Sequence, residues 1–337
     1  MISKDLPLIE LHKHLDGSIR LETILDLGLK HNLPLPATTL DSLRPFVQVS
    51  TPQPGVMKFI EKFKWMTGVL VDYDACRRVA YENIEDAFLE GIDYIELRYS
   101  PWFMAEAHHL SPEGVIEAVS DGIQTGEQDF NIKVNQLGIL SRHYGPDIAM
   151  KELEAELRFA EKFVGLDLAG DEAHFPGDWY VEHFKKARDA GWHITAHAGE
   201  AAGPQSVWQA IRHLGAERIG HAVHAPEDPA LLDFMLENGI GIECNLTSNV
   251  QTSTVADYPS HPLRLFIEKG LLASINTDDP GISAIDLHFE YEVAAPQAGL
   301  TSGQIRQAQE NALLTAFITE DEKQVLRQKA LARSQTV

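Results

Sequence analysis

Apolar residues in this chain come in short runs of strand length, each followed by a longer stretch with helical spacing. The runs are "LPLIEL" (6–11), "IDYIELRYS" (92–100), "VNQLGILS" (134–141) and "VGLDLAG" (164–170), then "HITAHAGE" (193–200), "RIGHAV" (218–223), "GIGIECNL" (239–246) and "LLASINT" (271–277). Between them lie stretches such as "YDACRRVAYENIEDAFLEG" (73–91), which sets Cys76, Val79, Ala80, Ile84, Ala87 and Phe88 on one helical face. "PEGVIEAVSDGI", "DWYVEHFKKARDAG" and "PALLDFMLENG" read the same way, and several of these stretches end in Gly just before the next apolar run, as a helix C-cap should. Eight strands alternating with helices predict a parallel (β/α)8 barrel. The alternative is an open doubly wound sheet, but no Gly-rich nucleotide fingerprint follows any of the strands.

The first strand is expected over Pro7–Leu11. The interval from there to the second strand is too long for one helix, and it holds "PGVMKFIEKFKWMTGVL" (54–70). Val56, Phe59, Ile60 and Phe63 recur there at three- and four-residue spacing and share a helix face. An insertion after a barrel strand sits at the catalytic mouth, so the segment at about 41–70 is a candidate lid. The competing reading packs it on the outside of the barrel. With no linker or low-complexity tract, residues 1–337 are expected to form one domain.

Composition narrows the partners. The chain has 337 residues, 44% of them hydrophobic, enough for a large core. Fifty acidic residues against 28 basic ones give a net charge of −22. Such a chain repels nucleic-acid phosphates and anionic lipid, so neither nucleic acid nor membrane is an expected partner. Cys76 and Cys244 are too far apart for a CxxC, which excludes a zinc site built on thiolates and suits a reducing cytoplasm. No signal-like N-terminus and no long apolar run is present. No obligatory protein partner is expected.

The chemistry-bearing residues fall at the ends of the expected strands. "LHKHLDGS" puts His12 and His14 at alternate positions after strand one, with Asp16 following. "HAGE" ends strand five with His197 and Glu200, "GHAVH" ends strand six with His221, and "NTDDP" ends strand eight with Asp278 and Asp279. Each alone has an ordinary reading as a core histidine or a turn aspartate. Together, at the face where barrel active sites form, they describe a metal hydrolase. Three imidazoles and a carboxylate suit zinc, leaving a position for water. A separate acid is then needed, and Glu200 is placed for it, with His221 to orient the water.

"LHKHLDGS", "DLAGDE", "HITAHAGE", "RIGHAV", "LTSN" and "SINTDDPG" resemble, in order and spacing, the motifs of the adenosine deaminase family of the zinc-dependent amidohydrolase superfamily. The resemblance covers essentially the whole chain. It implies one zinc ion on His12, His14, His197 and Asp278. It implies that Glu200 protonates the purine N1, that His221 holds and helps deprotonate the attacking water, and that Asp279 bonds N7. The Gly170 backbone would contact N3, and Asp16 with His14 would face the ribose 5′-hydroxyl. The substrate would be a small molecule, adenosine or deoxyadenosine. Dinuclear relatives usually carry a bridging lysine after strand four, where this chain reads "LDLAG". Cytidine-type deaminases need a PCxxC that is missing here. An adenine or N6-modified purine deaminase is the nearest alternative, and a non-catalytic zinc-binding barrel the remote one. Asn245 and Ala222 depart from the family pattern near the mouth.

Overall fold

A computed structural model describes residues 1–53 and 55–335; Pro54, inside the expected lid segment, and residues 336–337 lie outside the described residues. Eight parallel strands follow one another in chain order: β1 (Ile9–His14), β2 (Tyr94–Tyr99), β3 (Lys133–Ser141), β4 (Phe163–Ala169), β5 (His193–Ala198), β6 (Arg218–His221), β7 (Gly241–Cys244) and β8 (Leu272–Ile275). This is the (β/α)8 barrel that the alternation implies. The intervening helices follow from local sequence. Asp72 caps helix Tyr73–Leu89 by accepting from the Ala75 amide. Gly191 and Gly239 leave their helices at φ +85° and +65°, a region where L side chains are strained.

Two features depart from the expectation. β1 continues to His14, because Lys13 and His14 still pair with Leu97 and Arg98 of β2 past an irregularity after Glu10. Both histidines therefore lie inside the strand. Phe88, expected on the buried face of its helix, is 48% exposed. Its ring stacks on Phe130, the last residue of helix Pro112–Phe130, at 5.3 Å between ring centroids, while Ala87 beside it is buried.

The barrel wall is uneven. The β4–β5 ladder pairs only Gly165 with His193 and Leu166 with Ile194. β8 meets β1 through an isolated bridge between Lys13 and Asp278. There the His14 amide donates to the Asp278 carbonyl and the Asp278 amide to the His12 carbonyl. Inside the barrel stand charged side chains, with Glu96, Arg98, Asp167, Arg218 and Glu243 paired to one another or to a ligand histidine and all at most 1% exposed. The insertion forms helices Leu40–Val47, Val56–Ile60 and Phe63–Thr67. No helix among the described residues is long and apolar enough to cross a membrane.

Candidate active site

The strand ends bring the expected residues together. His12 Nε2 stands 3.1 Å from His197 Nε2, and His14 Nε2 stands 3.2 Å from the same atom. Asp278 Oδ1 lies 3.3 Å from the Nε2 of both His12 and His14. Ligands at bonds of about 2.0–2.1 Å around a tetrahedral ion are roughly 3.3–3.4 Å apart, so these separations are those of a coordination shell. Donor atoms of His12, His197, His221 and Asp278 also lie within 4.8 Å of one another, a three-histidine, one-aspartate cluster able to hold a divalent metal. Within it His221 stands further off, its Nε2 3.9 Å from Asp278 Oδ2 and 3.7 Å from Glu200 Oε2.

The protons of the imidazoles test the fit. His12 Nδ1–H donates to Glu243 Oε2 at 2.6 Å, and His197 Nδ1–H to Asp167 at 3.0 Å. Burial works against ionising these carboxylates. Arg98 and Arg218 overcome it at Glu243, and His197 and Arg98 at Asp167, holding both well below the usual range. An ionised carboxylate only accepts. As neutral rings, the form a metal ligand takes, the two imidazoles then present Nε2 lone pairs to each other 3.1 Å apart, an arrangement that a cation between them turns from repulsive to favourable. Asp278 faces the Nε2 atoms of His12 and His14 through Oδ1. Its Oδ2 accepts from Ser248 Oγ at 2.6 Å.

Proton-bearing groups face the same space. Burial, then the charges of Asp278 and Glu172, push Glu200 well above the usual carboxylate range, with Arg142 opposing. Burial, with Asp278, Asp16 and Glu200, does the same to Asp279. Glu172 holds the loop that carries Glu200, accepting from the amides of Gly199, Glu200, Ala201 and Ala202 at 2.6–3.1 Å. Gly17 makes room for Asp279, since an added Cβ would stand 1.8 Å from Asp279 Oδ1. His221 and Asp278 hold φ of +67° and +69°, strained values for side-chain-bearing residues and the kind found where a site dictates the backbone.

Glu200, His221, Asp278 and Asp279 line a cavity that opens to solvent, and Gly170 borders it at φ +107°. Val56, Phe59, Ile60 and Phe63 all line it from the insertion. Phe59 and Phe63 are 2% and 8% exposed, and the Phe63 ring meets Phe103 edge-on at 5.7 Å. The expected single helix is instead two short ones, parted at Glu61–Lys62. Among the described residues, Asp16 Oδ1 and Asp279 Oδ1 are buried without a hydrogen-bond partner.

Sequence reasoning did not single out Arg98, Asp167 or Glu243, which lock the imidazoles, nor Ser248 and Phe103. A signal was present for the first three. A charge inside a strand buried on both faces needs a buried partner, and the barrel interior is where charges from different strands can meet.

Residues 7–332 match the family model described as adenosine deaminase. An adenosine deaminase from Salmonella schwarzengrund is 56% identical over 332 residues, 98% of this chain and 100% of the relative. One from Serratia proteamaculans is 57% identical over 329 residues, covering 98% and 99%. Among solved structures, adenine deaminase from Arthrobacter aurescens superposes with a TM-score of 0.91 at 22% identity, covering 98% of this chain and 99% of that one. The N6-methyl-AMP deaminase of Arabidopsis thaliana reaches 0.82 at 26% identity, covering 99% and 98%. With a family model spanning nearly its full length and relatives this similar over their whole length, the chain belongs to the adenosine deaminase family.

Proposed function

We propose that this chain is a hydrolase that deaminates adenosine, and deoxyadenosine, to the inosine product and ammonia. The observation that carries the reading is the set of imidazole and carboxylate atoms 3.1–3.3 Å apart, facing a cavity that also holds Glu200. His12, His14, His197 and Asp278 would hold one zinc ion. When bound, that ion would supply activation of the attacking water near neutral pH.

The protein's own groups would do the rest. Glu200, kept protonated by its surroundings, gives its proton to purine N1 and makes C6 electrophilic. N7 is an acceptor, so Asp279 must be a donor, which its raised pKa supports. The Gly170 backbone approaches N3, where a side chain would crowd His143. His221 faces the water from the side of Glu200 and Asp278. Segment 41–70 acts as a lid on a single domain, and the apolar face of Val56, Phe59, Ile60 and Phe63 excludes water from the purine. The two buried, unpaired thiols Cys76 and Cys244 suit work in the cytoplasm.

Asp16 favours a nucleoside over a free base. Its buried Oδ1 lacks a partner, and adenine alone would leave it so, whereas a sugar hydroxyl would donate to it with His14 alongside. A phosphate there would find no Lys or Arg among the described residues that line the cavity. Ammonia release by the purified, metal-loaded protein should be fast with adenosine and deoxyadenosine and slow with adenine and AMP, and methylamine release from N6-methyladenosine should be slow as well. Faster release from adenine would overturn the nucleoside assignment, and no release from any of them the enzymatic one.

A further inference from the structure

His221 sits where its role depends on which ring nitrogen carries the proton, and a chain of hydrogen bonds behind it decides the matter. The chain starts at a group of fixed polarity. The Leu263 backbone N–H, which can only donate, bonds to His261 Nδ1 at 3.1 Å. His261 Nδ1 is thus an acceptor, and the ring's proton is on Nε2. Burial pushes the pKa of His261 down to about 3, so the ring is neutral. Its Nε2–H donates to Asn249 Oδ1 at 3.1 Å. That bond settles the orientation of the Asn249 amide, whose Nδ2–H then points at His221 Nδ1, 3.0 Å away. Asn245 Nδ2 is directed at the same nitrogen from 3.2 Å.

With donors on this side, His221 Nδ1 accepts. The Nδ1–H tautomer and the doubly protonated ring would both set N–H against N–H. His221 Nε2, buried and without a partner among the described residues, is left as the proton-bearing atom, and it borders the reaction cavity. We infer that Asn249 and His261 are positioning residues that hold His221 as its Nε2–H tautomer, so that His221 gives a hydrogen bond to the attacking oxygen and does not remove its proton. This replaces the base role that the family resemblance implies for His221. It rests on the hydrolytic reading only for the identity of the oxygen.

Asn249 and Asn245 both belong to the turn after β7, the stretch in which Asn245 departs from the family pattern. The same turn supplies Ser248 to Asp278 Oδ2. One helical turn thus orients the outward oxygen of the aspartate and the histidine that faces it.

Long-range proton–nitrogen NMR of protein labelled at histidine reads the tautomer without substrate, with His221→Gln identifying the signal. The expected spectrum, in metal-loaded protein at neutral pH, has Nε2 protonated and Nδ1 bare. A protonated Nδ1 overturns the inference whatever the enzyme's activity, and a failed deamination assay leaves the tautomer result standing. Asn249→Asp replaces the donor by an acceptor, so the proton should move to Nδ1. kcat should then fall by at least about 100-fold, as wrong-tautomer variants of catalytic histidines do, with KM little changed. His261→Gln, which can still donate to Asn249 Oδ1, should keep the Nε2–H signal and most of the rate. If Asn249→Asp shows a protonated Nδ1 and turns over normally, the donor role is wrong.

Discussion

Glu243→Gln isolates what the carboxylates behind the imidazoles contribute. Glu243 Oε2 accepts from His12 Nδ1 at 2.6 Å and Arg98 Nη2 at 2.8 Å, and Oε1 from Arg218 Nε at 2.7 Å and Thr195 Oγ1 at 2.9 Å. Glutamine has the same shape but only one acceptor oxygen. Whichever way its amide turns, its NH2 faces a guanidinium N–H. One charge-assisted bond, roughly 1.5–3 kcal/mol, is lost. A buried arginine is left part-unpaired, so the total cost to stability should reach about 3–5 kcal/mol. The metal should respond separately. Once His12 no longer donates to an anion its Nε2 is less basic and less well aimed, and affinity should fall about 10–100-fold. Chelator competition gives the affinity, and urea unfolding of metal-saturated protein gives the stability. Thr195→Val serves as the control, since it removes one hydrogen bond to the same carboxylate, worth about 1.5–3 kcal/mol, and leaves the charge in place. If Glu243→Gln kept metal affinity within about twofold of the wild type, the argument that this carboxylate fixes a ligand would be wrong.

Asp278→Ala should lose bound metal and activity while keeping its circular dichroism; two ions per chain by elemental analysis of the wild type would contradict the single site. Glu200→Gln should retain metal and lose roughly 100- to 10,000-fold in turnover, and a near-normal rate would mean N1 is protonated by another group. Phe59→Ala should raise KM for adenosine with metal content unchanged; a variant that instead loses the about 3–5 kcal/mol of a core deletion and binds adenosine normally would rule out the lid. Glu290, pushed up to about 8 chiefly by burial, stays protonated in the fold where the unfolded chain ionises. Its contribution is therefore fullest at acid pH and is lost as pH rises toward 8, so the wild-type stability advantage over Glu290→Gln should shrink between about pH 5 and 8. A pH-independent difference in urea titrations would contradict that.

The barrel was legible because its strands are buried on both faces, and continuous apolar runs survive any choice of register. The mouth was legible because its ligands sit at strand ends, which sequence order locates. What the chain did not disclose is depth across the barrel. Arg98, Asp167 and Glu243 come from three different strands and meet inside it, and single-sequence periodicity says nothing about partners so far apart in the chain. Phe88 shows the opposite limit. Its spacing fits a buried face, yet it stacks on Phe130 and stays exposed while Ala87 beside it is buried, a difference that spacing alone does not carry. The candidate lid segment was noticed by its apolar face, while its break at Glu61–Lys62 has no Pro or Gly to announce it.

The weak places in the barrel wall and the metal donors coincide. β8 reaches β1 by one isolated bridge among the described residues, and the bridging residues are Lys13, between His12 and His14, and Asp278 itself. The β4–β5 ladder stops after Leu166 and Ile194, below His197. A ladder continued to the rim would bind the strands evenly, but it would also fix the ends of β1 and β8 in regular β geometry. Asp278 instead takes φ +69°, which turns its carboxylate back over His12 and His14. Ion binding can replace the missing ladder, because an ion that binds only the folded chain stabilises it by about 4 kcal/mol at a thousand times its dissociation constant. The barrel thus leaves its wall thin where the donors must be free to converge, and the residues that set the chemistry are also those that close the fold.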